Sequence, residues 1–169
     1  MCIRDRVKSV FLDSELNERL LLTSANSINV ARFLPQAFYY FNAYAQLKKA
    51  GMADNLVVCV PSGNFGNITA GLIAHRMGLP IKRFIAANNA NDVFFKYLQD
   101  GKYEPRPSIA TIANAMDVGD PSNFARILDL YGNDHARITS LISGTTYSDG
   151  LIAKTMEECF KAVSYTHLT

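Results

Sequence analysis

Six consecutive residues, Ser62-Gly63-Asn64-Phe65-Gly66-Asn67, carry the clearest chemistry in the chain. Two glycines three apart sit among small hydrogen-bonding side chains, after an apolar run at residues 56–60 and before a helical pattern at residues 68–77. In that order, successive backbone N–H groups can turn toward one anion at the positive end of the following helix. Gly63 and Gly66 can take positive φ and carry no Cβ to block a phosphate oxygen, while Ser62, Asn64, Asn67 and Thr69 offer side-chain hydrogen bonds. The loop lacks the lysine of G-x-x-x-x-G-K-[ST] and the third glycine of G-x-G-x-x-G, so neither nucleotide fingerprint is met. Spacing alone leaves a plain strand-to-helix turn equally open.

A second constellation lies upstream, where Ser24-Ala25-Asn26-Ser27-Ile28-Asn29 is followed by Arg32. Small polar side chains ahead of a helix, with an arginine in the next turn or two, could clamp a phosphate or carboxylate. By residue type alone, an N-cap cluster with a solvated arginine is the better account.

The elements that must position these residues follow from periodicity. Residues 34–50 repeat apolar side chains at three- and four-residue spacing and end in Lys48, Lys49 and Gly51, which predicts an amphipathic helix with a glycine stop. Residues 56–60 are β-branched and continuous, the pattern of a central parallel strand covered on both faces. The helix at 68–77 ends at Gly78 and Pro80, and residues 81–86 form another apolar run, so 56–86 is one βαβ unit with parallel strands. Further helices are expected at 91–99, 121–131 and 149–160, each opening at or near Asn, Asp or Pro. Residues 101–120, with Pro105, Pro107 and Gly119, read as an irregular excursion with at most a short helix near 109–115. Thr145, Thr146, Ser148 and Asp149 read as a strand end followed by an N-capped helix. The fold class is α/β.

Composition narrows the partners. At 169 residues and 49% hydrophobic, the chain can bury one sizeable core. Seventeen basic and fifteen acidic residues give a net charge of +2 without a basic stripe, which argues against nucleic acid. The longest apolar runs fall far short of the roughly 20 residues that span a bilayer. Cys2, Cys59 and Cys159 are odd in number and widely spaced, and His75, His135 and His167 have no ligand spacing, so free thiols in the cytoplasm and no metal site are expected. Residues 1–6 lack the apolar stretch of a secretory signal, and residues 163–169 break abruptly from a helical pattern. Both ends are read as non-native.

Taken together, the two polar segments, Arg83-Phe84-Ile85-Ala86-Ala87-Asn88-Asn89 and Ile112-Ala113-Asn114-Ala115-Met116-Asp117-Val118-Gly119-Asp120-Pro121-Ser122-Asn123 closely resemble the threonine synthase family in order and spacing. The resemblance runs from about Val7 to about Ala162, so residues 7–162 are expected to be an internal fragment of that family's catalytic region. It implies part of a fold type II pyridoxal-phosphate enzyme, a parallel sheet flanked by helices. It also implies that Gly63, Asn64, Phe65, Gly66 and Asn67 hold the phosphate of pyridoxal 5′-phosphate. Asn26, Ser27 and Arg32 would hold the leaving phosphate of O-phospho-L-homoserine, which water addition then converts to L-threonine.

The sequence also departs from the family. Members hold the cofactor as a Schiff base on a lysine in a P-T-x-A-F-K-D-like motif, which is absent here, so no catalytic residue is assigned. Lys8, Lys48, Lys49, Lys82, Lys96, Lys102, Lys154 and Lys161 all sit in other contexts, and each reads as a solvated side chain. The polar residue that contacts the pyridine nitrogen is missing too, and the chain alone is expected to be inactive and prone to self-association. Two alternatives stay open: a fragment of another fold type II enzyme, and a non-catalytic small-anion-binding α/β domain.

Overall fold

The computed structural model describes residues 9–23 and 29–163. The segments read as non-native, 1–6 and 163–169, lie outside them except for Val163, the last residue of the final helix. The described helices are α1 (Ser14–Arg19), α2 (Val30–Phe33), α3 (Ala37–Lys49), α4 (Gly66–Arg76), α5 (Val93–Asp100), α6 (Phe124–Leu130), α7 (His135–Leu141) and α8 (Asp149–Val163). The strands are β1 (Val57–Pro61), β2 (Arg83–Asn88) and β3 (Ile142–Thr146), and 3-10 turns occupy Leu34–Gln36 and Asn114–Met116.

The three strands form one parallel sheet in the order β1-β2-β3. Val58 and Val60 pair with Phe84 and Ala86, which pair in turn with Ile142 and Gly144. The β1-α4-β2 unit expected at 56–86 is therefore present. The position of its first strand is not as expected: β2 is central, and among the described residues β1 is an edge strand. Only Val60 of β1 is buried, while Val57, Cys59 and Pro61 are exposed. A short β-branched run satisfies an edge strand covered on one face as well as a fully covered one, so the run could not reveal its neighbours.

Burial on β2 alternates, with Phe84, Ala86 and Asn88 turned into the core. Helix α4 lies so close to this face that a Cβ on Gly71 would come within 2.7 Å of both the Phe84 ring and the Tyr40 ring of α3. Helix α5 approaches β3 almost as tightly, with Leu98 Cδ1 3.0 Å from where a Gly144 Cβ would stand. An aromatic group joins these layers: Phe94 lies 4.6 Å from Phe65 and 5.7 Å from Phe124, and Tyr103 stacks on Phe124 at 4.1 Å. Between α3 and β1 an apolar groove remains open, lined by Tyr39, Ala43, Leu47, Val58 and Cys59.

The glycine stop of α3 and the helical phase at 149–160 hold, whereas α1 and α7 were not anticipated. The excursion at 101–120 contains the 3-10 turn Asn114–Met116 in place of a helix at 109–115. Side chains from outside the segment hold its backbone: Asn91 Oδ1 accepts the N–H of Ile109 at 2.8 Å and Asp117 Oδ2 that of Thr111 at 2.9 Å, bonds that local periodicity cannot reveal.

Candidate functional site: an anion cradle between β1 and α4

The chain leaves β1 at Pro61, and the Ser62 N–H still donates to the Ala87 carbonyl of β2 at 2.7 Å. That bond fixes the start of the loop to the sheet. Gly63 follows at φ +100°, a conformation that disfavours any side chain, and a Cβ there would press to 3.2 Å from Met116 Sδ. Phe65 is also left-handed, at φ 57°, although it is not glycine. Burial explains how it stays there: the residue is 3% exposed and its ring packs on Phe94. Gly66 opens α4, eleven residues long, whose first-turn N–H groups have no intrahelical acceptor.

Side chains that looked available for a ligand are partly committed to the protein. Asn64 Oδ1 accepts from the Ser122 N–H at 2.6 Å and from the Ser122 hydroxyl at 2.8 Å. Asn67 donates through Nδ2 to the Pro61 carbonyl at 3.0 Å and accepts through Oδ1 from the Ile68 N–H at 2.8 Å. Thr69 gives its hydroxyl to the Phe65 carbonyl at 2.6 Å. The Ser62 hydroxyl differs: Ser62 is 4% exposed and its Oγ is buried with no hydrogen-bond partner among the described residues. A buried hydroxyl without a partner is costly, and a ligand oxygen would relieve it.

The flank of the loop is built by the excursion that sequence reasoning left irregular. Asp117 is its hub, accepting from Asn89 Nδ2 at 2.8 Å, Asn91 Nδ2 at 3.1 Å, the Thr111 hydroxyl at 2.7 Å and the Thr111 N–H. The Thr111 hydroxyl bond holds the Asp117 carboxyl below its ordinary range; partial burial opposes this, and the bonds from the Thr111 N–H, Asn89 and Asn91 reinforce it. Asn89 and Asn91 lie just past the C-terminal end of β2, so this hub ties the excursion to the sheet. Asp117 and Asn89 were visible only as parts of the family-like motifs at 112–123 and 83–89, and Asn91 and Thr111 lie in neither, since their sequence separation hides the contact. On the other side of α4, the Tyr40 hydroxyl donates to the Asn67 carbonyl at 2.8 Å, and burial pushes its pKa up to about 12.

Of the second constellation, Asn26 and Ser27 lie outside the described residues. Arg32 is exposed on α2, where the Asn29 side chain caps the helix by accepting from the Ala31 N–H at 2.9 Å. Its neighbour Phe33 is buried, and α2 packs against α4. The structure therefore brings the Arg32 helix against the helix that begins at the loop.

Lys96 and Lys161 pair with Asp92 and Glu157 one helical turn away, at 3.6 and 2.5 Å, and Lys154 approaches Glu158 at 3.8 Å. Among the described residues no three His, Cys, Asp or Glu side chains come together as a metal site. None of the described helices is long and apolar enough to cross a membrane.

Fold and site define a parallel α/β segment whose first crossover carries a glycine loop at a helix N-terminus. Threonine synthase of Haemophilus influenzae is 53% identical over 138 residues, covering 82% of this chain and 32% of that protein. The Escherichia coli enzyme is 46% identical over 160 residues, 95% of this chain and 37% of its own. The crystal structure of the E. coli enzyme superposes with a TM-score of 0.82 at 43% identity, over 96% of this chain and 37% of that one. The pyridoxal-phosphate-bound threonine synthase of Brucella melitensis gives 0.80 at 34% identity, over 94% of this chain and 39% of that one. No protein-family model matches the chain. The chain is a segment of the threonine synthase family, and it spans about a third of the length of the relatives it matches.

Proposed function

We propose that this chain carries the cofactor-phosphate loop of a threonine synthase, the residues Gly63, Asn64, Phe65, Gly66 and Asn67 receiving the phosphate of pyridoxal 5′-phosphate within a fold type II enzyme. The observation that carries the reading is the coincidence, at one helix N-terminus, of a positive-φ glycine with a buried Ser62 hydroxyl that lacks a partner. Both features suit a phosphate oxygen closely approached by backbone. Asn64 and Asn67 then serve mainly through backbone, because their amide groups already bond within the protein.

The whole enzyme's activity is that of a carbon–oxygen lyase converting O-phospho-L-homoserine and water to L-threonine and phosphate. Bound at the loop, the cofactor supplies the electron sink for proton removal from the substrate. This chain's share is to anchor and orient, and to meet the departing phosphate with Arg32, Asn26 and Ser27, where a planar guanidinium suits paired oxygens. The chain alone is inactive, because the motif that supplies the covalent lysine is not among its residues.

Titration of the purified chain with pyridoxal 5′-phosphate, followed by absorbance and by amide exchange at residues 63–67, tests this. Protection of the loop without a borohydride-reducible linkage to lysine is expected. A reducible linkage at one defined lysine would overturn the inactivity, and an unprotected loop would overturn the cofactor assignment.

A further inference from the structure

The last two residues of the motif at 112–123, Ser122 and Asn123, bond directly to the loop. Asn123 is fully buried, and its Nδ2 donates to the Asn64 carbonyl at 2.9 Å. A trans peptide unit is planar, with the carbonyl of one residue and the N–H of the next pointing in opposite directions. Holding the Asn64 carbonyl against Asn123 therefore directs the Phe65 N–H away from Asn123. Ser122 clamps the same residue from its side chain, through the two bonds to Asn64 Oδ1.

Asn123 reaches the other way as well. Its Oδ1 accepts from Arg126 Nη1 at 2.8 Å, and the Arg126 guanidinium lies 5.1 Å from the centre of the Phe33 ring. Phe33 adjoins Arg32 on α2. One buried amide thus stands between the anion loop and the helix that bears the second anion-binding candidate.

We propose that Asn123 is the positioning residue of the anion loop, setting the Asn64–Phe65 peptide so that the Phe65 N–H faces the ligand, and coupling that peptide through Arg126 and Phe33 to the helix of Arg32. The inference rests on the reading of the loop as a phosphate site. Asn123 itself touches no ligand, so its effect is on direction and not on chemistry.

The test uses the isotope-labelled chain titrated with inorganic phosphate and followed by NMR. In the native chain the Phe65 amide shifts with saturating behaviour. In N123A, measured where the variant is still folded, affinity falls about tenfold, the order expected for losing one charge-assisted donor, and the Phe65 amide no longer shifts. A residue with a purely packing role would lower the melting temperature and leave both the affinity and the Phe65 response intact, which would overturn the proposal. Should N123A fail to fold, the native Asn123 Nδ2 protons decide: they shift with the same midpoint as the Phe65 amide, and static Nδ2 protons would overturn it. A native chain that binds neither phosphate nor pyridoxal 5′-phosphate overturns the loop reading itself, and this inference with it.

Discussion

At the scale of single residues, the loop divides between groups already bonded within the protein and a hydroxyl that is not. Ser62 carries that hydroxyl, buried and with no hydrogen-bond partner among the described residues. Replacing it with alanine removes a desolvated polar group, so S62A should melt at the same temperature as the native chain or higher, by up to roughly 1 kcal/mol of added stability. Phosphate affinity should move the other way and fall about tenfold or more, since a hydrogen bond to a charged group contributes about 1.5–3 kcal/mol. Thermal melts with and without phosphate separate the two effects, and a parallel loss of stability and binding would show that the hydroxyl has a structural partner. Asp117 is a holding group. Its folded-state pKa lies below the ordinary 3.8, so its contribution is present above that value and is lost as pH falls through the folded pKa. Acid should therefore loosen the excursion before the sheet, seen as falling protection factors at Thr111 and Ile109 once each rate is divided by the intrinsic exchange rate at that pH; in D117N that pH-dependent loss of protection should vanish.

At the scale of elements, the fit of α4 against its neighbours depends on the missing side chain of Gly71. Alanine in a helix interior ordinarily gains about 0.5–1 kcal/mol over glycine. Here the new methyl would stand 2.7 Å from the fully buried Phe84 ring and from Tyr40, and overpacking of that kind costs about 1–3 kcal/mol. G71A should therefore unfold at lower temperature, and an equal or higher midpoint would mean that α3 can slide outward at little cost. The same elements show what sequence could reveal. The βαβ unit, the phase of α3 and α4, and the glycine loop between strand and helix were legible because each is encoded within about thirty neighbouring residues by periodicity, glycine and β-branching. The order of strands was not, because the edge position of β1 depends on which segments pair with it. Nor were the roles of Ser122, Asn123 and Asp117, whose partners Asn64, Asn89 and Asn91 are 26 to 59 residues away. Alternation and caps say nothing about such contacts, and only the family-like motif hinted at them.

At the scale of the whole molecule, the sheet is the feature with most consequence. Its helix-facing side is filled by Phe84, Ala86, Val60 and Ile142, all 6% exposed or less. The alternate residues of β1 tell the opposite story: Val57 is 46% exposed and Cys59 is an exposed free thiol. Among the described residues β1 also pairs on one side only, which leaves a row of main-chain donors and acceptors beside the open groove at Tyr39 and Leu47. Further exposed apolar side chains, Leu151, Met156 and Phe160, line α8. An unpaired strand edge next to apolar surface is a template for pairing with another chain. Sedimentation velocity of the reduced chain should accordingly show association that grows with concentration. A lysine at the exposed edge position, V57K, adds charge repulsion there without touching the helix-facing core, and should shift the distribution toward monomer. Working under reducing conditions keeps disulfide formation through Cys59 from imitating the effect. If the native chain instead sediments as a monomer at every concentration and melts in one cooperative step, the edge is already protected, and the exposed face of β1 carries no drive to associate.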